Sequence, residues 1–108
     1  MDGIDREIGL KSTMGNEQLL ERLLKKFAVS YADFPNDFNE AQQQGQEEST
    51  RMAHSLKSNA GSLGAMGVHD KAMELEMACK ENAANIQECA DAVQSELLIV
   101  LESLKALD

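Results

Sequence analysis

The sequence predicts an all-α fold in which amphipathic helices pack as an antiparallel bundle within one chain. Leu, Ala, Met, Glu, Gln and Lys dominate the composition, aromatic residues make up 4% of the chain, and Pro35 is the only proline. This composition favours helix over strand. Apolar residues also recur at spacings of three and four, which places them on one face of each helix. At 108 residues, the chain has room for one domain, residues 1–108, with one hydrophobic core.

The apolar spacing and the capping residues predict six helices, at about residues 4–10, 17–32, 34–44, 46–63, 68–82 and 85–107. The first is a short additional helix ahead of the bundle. Asn16 is a suitable N-cap for the second helix, and Asp33 followed by Pro35 fits the start of the third. Gly45 is expected to end the third helix, and the glycine cluster that begins at Gly64 is expected to end the fourth.

The last predicted helix admits a second interpretation. Its apolar residues follow a seam of about three heptads, which is also the pattern of a coiled coil formed with another chain. The preceding helices carry matching apolar stripes, so an intramolecular bundle accounts for the same residues. We therefore expect the seam to be buried within the chain.

The charge balance limits the classes of partner. Nineteen acidic and ten basic side chains give a formal net charge of -9, which repels nucleic acid and anionic lipid over most of the surface. No apolar run approaches the ~20 residues that cross a bilayer, and the first residues lack the basic-then-apolar order of a secretory signal. We therefore expect protein partners, no nucleic acid, no membrane insertion and a cytoplasmic location.

The two cysteines do not indicate redox or metal chemistry. Cys79 and Cys89 form no CxxC pair, and both fall near apolar positions of predicted helices, which favours buried free thiols over a disulfide. A metal site would have to combine them with His54 and His69. No two of these four residues are three or four apart, so they would make a poor ligand set. We expect no metal and no cofactor, and we expect His69 to be exposed and without a role.

The fifth predicted helix carries two features outside its apolar stripe. Glu76 lies at the edge of the stripe, which predicts a partly buried carboxylate held by a basic group. Met73 and Met77 fall outside the stripe. Pliable packing is favoured for them over an adaptable partner surface.

The candidate site lies in the fourth predicted helix, between Arg51 and Met66. At about 100° per residue, one face of this helix carries its apolar residues, Met52, Leu56, Ala60 and Leu63. His54, Ser58 and Gly61 fall on the exposed face, flanked by Lys57. An exposed imidazole can accept a phosphoryl group without disturbing a core. The small residues one and two turns further on leave room for a partner to approach it.

The tract from His54 to Ala65, HSLKSNAGSLGA, resembles the signature of the histidine-containing phosphotransfer (HPt) domains of bacterial phosphorelays. In that signature His-x-Leu-Lys-Gly/Ser and a following Leu-Gly-Ala recur. The resemblance implies a monomeric four-helix bundle with the active histidine midway along one bundle helix. It also implies that His54 is the phosphoacceptor and that Lys57 helps to hold the phosphate.

The resemblance further implies the partners. They would be response-regulator receiver domains and a hybrid sensor histidine kinase. The receiver domains would supply the phosphorylated aspartate, the bound magnesium and hence the catalytic machinery. This chain would supply a nucleophile, a lysine and a docking surface.

The expected docking face surrounds the histidine and comprises Ser58, Gly61, Arg51 and Thr50. Ser58 can act through its hydroxyl group or only by being small, and smallness is favoured because a partner loop has to approach the ring in line. Arg51 can add positive potential beside the phosphoacceptor or pair with Glu47 or Glu48 one turn away, and the pairing is favoured.

Two functions are compatible with these residues. The sequence contains no glycine-rich nucleotide loop and no Asp and Asn cluster beside His54 for magnesium, so we expect a phosphocarrier without kinase activity of its own. The alternative is a transfer-inactive helical bundle that only binds proteins. Such a bundle would not usually retain both His54 and Lys57, which favours the phosphocarrier.

Overall fold

The computed structural model describes residues 1–107, and over this range every regular element is helical. The six α-helices are α1 Arg6–Ser12, α2 Glu17–Ser30, α3 Phe34–Gln44, α4 Gln46–Leu63, α5 Met66–Lys80 and α6 Ile86–Leu104, and a 3-10 helix follows at Lys105–Leu107. The predicted all-α class is confirmed. Asp108, which the predicted domain included, lies outside the described residues.

Several helix boundaries differ from the predicted ones. The first helix begins at Arg6 rather than near residue 4, because the Asp5 carboxylate accepts hydrogen bonds from two backbone amides of the first turn. The fifth begins at Met66, two residues earlier than expected. The sixth ends as an α-helix at Leu104, and only the 3-10 turn continues to Leu107.

Of two expected capping residues, Asn16 caps its helix with its side chain and Asp33 does not. The Asn16 side chain caps α2 by accepting a hydrogen bond from the Leu19 amide at 3.0 Å. The Asp33 carboxylate makes no such bond with α3 and instead accepts two hydrogen bonds from the Asn36 side chain. Pro35 lies in the first turn of α3, where its missing amide proton costs no helical hydrogen bond.

The helices enclose one hydrophobic core. Helix α4 contacts α3 and α5, α6 also contacts α3 and α5, and α2 contacts both α4 and α6. The largest fully buried side chains are Phe34, Leu20, Leu24, Leu56, Leu75, Leu97, Val68, Val93, Val100 and Cys79. The apolar face expected for α4 is buried at Leu56, Ala60 and Leu63, while Met52 is only partly buried. Burial of this face turns the opposite side of α4 toward solvent.

Helices α4 and α5 share the most extensive contact of any helix pair, and their ends are tied together. Only Gly64 and Ala65 connect them. At the other end, the Gln46 side-chain amide donates hydrogen bonds to the carbonyl oxygens of Cys79 and Lys80, both at 2.9 Å. The beginning of α4 therefore lies beside the end of α5, and the two helices run in opposite directions.

Gly64 also joins this turn to the N-terminal segment. Its φ of +85° is the left-handed conformation that ends α4. Its carbonyl oxygen accepts a hydrogen bond from the Asp5 amide at 2.8 Å. A Cβ atom at this position would overlap the Asp5 carbonyl oxygen, so both the conformation and the contact require glycine.

Among residues 1–107, no helix combines the length and the apolar character that crossing a bilayer requires.

We predict that Gly64→Ala lowers the free energy of unfolding much more than Gly15→Ala. Gly15 has a similar φ of +81° but open space around its Cβ position, so its substitution should cost only the conformational term of about 1–2 kcal/mol. At Gly64 the overlap with backbone should add about 2 kcal/mol or more. Urea unfolding of both variants measures the difference, and equal losses would contradict the close approach of the Asp5 carbonyl.

Candidate functional site

His54 stands near the middle of α4 on the side away from the core. Its side chain is 57% exposed, and its Nδ1 atom lies 2.8 Å from Oε2 of Glu76 on α5. An ionised carboxylate can only accept a hydrogen bond, so Nδ1 carries the proton and donates it to Glu76. In the neutral imidazole this leaves Nε2 with a free lone pair. The ring therefore has a fixed tautomer and an available nucleophilic nitrogen.

Glu76 is the buried centre of the site. Its side chain is only 6% exposed, and three donors surround its carboxylate. Oε1 lies 2.6 Å from Lys57 Nζ, while Oε2 receives the His54 ring and lies 3.5 Å from Lys80 Nζ. A buried charge requires such partners, because its lost hydration is otherwise uncompensated. The basic group that the sequence left unidentified is thus a pair of lysines together with the histidine.

The surroundings of Glu76 act on its pKa in opposite directions. Burial works to raise the pKa of the carboxyl, because it disfavours the charged form. Hydrogen bonds from Lys57 and His54, with the charges of Lys57 and Lys80, together outweigh burial and hold this pKa below its ordinary value of 4.5. Glu76 is therefore ionised at neutral pH and can orient the imidazole.

Lys57 reaches the histidine through this carboxylate. The sequence suggested that its ammonium leans toward the ring, but the structure places it on Oε1 of Glu76, with the side chain 25% exposed. Lys80, which was not among the predicted site residues, lies on the same carboxylate from one turn further along α5. The i, i+4 spacing of Glu76 and Lys80 is the sequence signal that could have found it.

The other residues of the expected docking face have varied surroundings. Ser58 is exposed beside the histidine. Arg51 pairs with Glu48 at 3.2 Å, as favoured from the sequence. Thr50 is half-buried and donates its hydroxyl hydrogen to the Gln46 carbonyl oxygen at 2.8 Å. Their role in docking stays a prediction.

Gly61 lies against His69 rather than against open solvent. A Cβ atom at Gly61 would stand 3.0 Å from Cδ2 of the His69 ring. The absence of a side chain thus lets the ring lie across α4. The expectation that His69 is exposed is wrong. Only 26% of its side chain is exposed, and its Nδ1 lies 3.0 Å from the Asp70 carboxylate. His69 occupies part of the space that the sequence left for a partner.

An open groove runs from His54 toward the beginning of α4. Its lining includes Arg51, Glu76 and Lys80 in addition to the histidine. Lys57 is not part of this lining. The cations on the groove side of the imidazole are therefore Arg51 and Lys80.

The methionines beside the site are not packed in the interior. Met73 and Met77 are both exposed on α5. The favoured interpretation of pliable packing is therefore wrong for both residues. They add apolar area to the exposed surface of α5.

The cysteines are free thiols, as expected. Cys79 is fully buried, whereas Cys89 is only partly buried. Burial is the main cause that raises the pKa of both thiols. Within residues 1–107, no three His, Cys, Asp or Glu side chains are grouped closely enough to hold a metal ion.

We predict that Glu76 contributes stability at neutral pH that is lost in acid. Because its pKa is lowered in the folded chain, the unfolded chain takes up the proton first as the pH falls. The contribution is complete above the ordinary value of 4.5 and disappears as the pH falls through the lower, folded-state value. Urea unfolding should show that the free energies of unfolding of wild type and Glu76→Gln differ most at pH 7 and converge below the folded-state pKa of Glu76. A constant difference across this range would contradict the buried carboxylate.

Comparison with known proteins assigns the chain to a family. A family model described as the Hpt domain matches residues 14–107, a range that contains His54, Lys57, Glu76 and Lys80. No curated protein and no solved structure is similar enough to this chain to count as a match. Hpt domains are phosphocarriers of histidine phosphotransfer in phosphorelays, and they work with receiver domains in two-component systems. Because the match extends over nearly the whole chain, this protein belongs to the Hpt domain family.

Proposed function

We propose that this chain is a phosphorelay intermediate that carries a phosphoryl group on Nε2 of His54. It accepts the group from the aspartate of one receiver domain and passes it to the aspartate of another. The observation that carries this proposal is the 2.8 Å hydrogen bond between His54 Nδ1 and Glu76 on an otherwise exposed ring. This bond selects the tautomer in which Nε2 is the nucleophile, and it holds the ring without covering it.

The transfer step exchanges one bond to phosphorus for another. The Nε2 lone pair attacks the phosphorus of the aspartyl phosphate, and an N–P bond forms as the P–O bond to the aspartate breaks. The electron pair of the broken bond leaves with the aspartate carboxylate. The ring becomes a phosphoimidazolium that keeps its proton on Nδ1, and the Glu76 carboxylate stabilises its positive charge. The reverse step returns the phosphoryl group to a second receiver.

Lys57 has two tasks in this proposal. Its ammonium neutralises Glu76 through the 2.6 Å contact with Oε1, which makes burial of the carboxylate tolerable. It also adds positive potential close to the phosphoryl group, in keeping with its position three residues after His54. A lysine suits both tasks, because it is a compact charge on a flexible stem.

The partners are proposed from the family. Receiver domains supply the aspartate and the magnesium ion, and a hybrid sensor histidine kinase supplies the phosphoryl group upstream. The docking face is centred on His54 and Ser58 and includes Thr50 and Arg51, with Gly61 at its edge. We further propose that the chain acts as a monomer in the bacterial cytoplasm.

We also infer an antiparallel four-helix bundle preceded by α1. Helices α4, α5 and α6 would form three sides of it. The fourth side would be shared by α2 and α3, since each of them contacts both α4 and α6. This arrangement leaves the middle of α4 accessible, which is where the proposed phosphoacceptor stands.

We predict that His54→Gln abolishes phosphoryl acceptance and leaves the fold intact. The imidazole is exposed and a glutamine amide can still donate to Glu76, so the replacement should change the thermal midpoint by no more than about 2–4 °C, the effect of a small surface change. The measurement is transfer of an acid-labile, base-stable label from a phosphorylated receiver domain. His69→Gln is the matched control and should still be labelled. A labelled His54→Gln variant would refute the assignment, and an unlabelled wild type would favour the transfer-inactive binding bundle.

We predict that Glu76→Gln slows labelling of His54 by about 10- to 100-fold, the usual effect of losing a group that orients a reactive side chain. A neutral amide can donate to Nδ1 and stabilise the tautomer whose proton blocks Nε2. Glu74→Gln removes an exposed carboxylate from the same helix and should transfer at the wild-type rate. Single-turnover transfer from a phosphorylated receiver measures both variants. Equal rates for the two would show that Glu76 does not orient the ring.

A further inference from the structure

The two lysines on Glu76 are held very differently. Lys57 Nζ lies 2.6 Å from Oε1, and its side chain is 25% exposed. Lys80 Nζ lies 3.5 Å from Oε2, and its side chain is 62% exposed. A short and largely shielded contact is stronger than a long and solvated one, because water screens the second. Lys57 is therefore the permanent counter-ion of the buried carboxylate, and Lys80 is only loosely attached to it.

Lys80 is also the lysine that faces the groove beside the ring. It lines that groove together with His54, whereas Lys57 does not. Its ammonium shares the oxygen Oε2 with the Nδ1 proton of His54, so the two donors are immediate neighbours. The four-carbon stem of a lysine allows its charge to move by several ångströms without any change in the helix.

We propose that Lys80 is a second phosphate-binding cation, which moves from Glu76 onto the phosphoryl group when His54 is phosphorylated. The proposal rests on the function proposed above. The new dianionic group attracts a groove cation that can be released, and Lys80 can leave because Lys57 still neutralises the buried carboxylate. Lys80 then binds phosphoryl oxygens from the α5 side of the ring. Arg51, the other groove cation, pairs with Glu48 on its own helix and not with the carboxylate that orients the ring.

The test compares the phosphoryl group in three variants of the full chain. The chain has two histidines. Each variant therefore carries His69→Gln and no affinity tag, which leaves His54 as the only histidine. The variants add Lys80→Gln, Lys80→Arg or Lys71→Gln to this background, which serves as the reference. Lys71 pairs with Glu74 on the same helix, so Lys71→Gln changes the net charge equally but away from the groove. Phosphoramidate phosphorylates the histidine chemically, and ³¹P NMR follows the second ionisation of the phosphoryl group.

A cation bound to the dianion lowers the pKa of the phosphoryl group. Lys80→Gln should therefore raise this pKa by about 0.3–0.7 unit, the size expected for a solvated ion pair. Lys80→Arg and Lys71→Gln should leave it within about 0.1 unit of the reference. Because the readout is taken on the phosphoryl group itself, a purely structural role for Lys80 would not move it.

The outcomes separate this proposal from the one on which it rests. A phosphorylated His54 whose pKa is the same in Lys80→Gln and Lys71→Gln would overturn the assignment of Lys80 and leave the phosphoacceptor standing. A chain that phosphoramidate does not label at His54 in any variant would refute both. A raised pKa in Lys80→Gln that Lys80→Arg restores would support the second cation.

Discussion

The site depends on one buried carboxylate held between two helices. Glu76 is nearly inaccessible to water, and a lone ion in that position would be strongly destabilising. It is tolerated because the Lys57 ammonium and the His54 ring, both from α4, complete its hydrogen bonds. The same contacts give the site its chemistry, since the proton that satisfies Glu76 is the one that fixes the tautomer of His54. Stability and reactivity thus have a common origin in the pairing of α4 with α5.

That pairing is set by the connection between the helices. His54 lies ten residues before Gly64, and Glu76 lies eleven residues after Ala65. In two antiparallel helices of equal rise, residues at matching distances from a tight turn lie at the same level. The Gln46 amide closes the other end by binding the last carbonyl groups of α5. With both ends tied, neither helix can slide by a turn, and the imidazole stays opposite its carboxylate.

The sequence predicted the periodic features well and the contacts between helices poorly. The helical class, the buried face of α4 and the exposure of His54 all follow from a spacing within one segment. The partners of Glu76, the position of His69 over Gly61 and the exposure of Met73 depend on how α5 is rotated against α4. A single sequence does not contain that rotation directly. Among these contacts, only that of Glu76 with Lys80 had a signal within one helix, the i, i+4 spacing, and the prediction did not use it.

The local charge of the site differs from the charge of the chain. The formal net charge is -9, yet Lys57 and Lys80 place two ammonium groups against the single carboxylate of Glu76, which leaves an excess positive charge beside the ring. Salt screens charges beyond a Debye length of about 8 Å at physiological ionic strength. Salt therefore weakens the repulsion between an acidic partner pocket and the distant carboxylates of this chain. In contact, the nearby lysines act on the pocket most strongly. A phosphoryl group on His54 would form beside Lys80, whose ammonium shares Oε2 of Glu76 with the ring. The arrangement thus favours binding of the dianion at one nitrogen on an otherwise acidic surface.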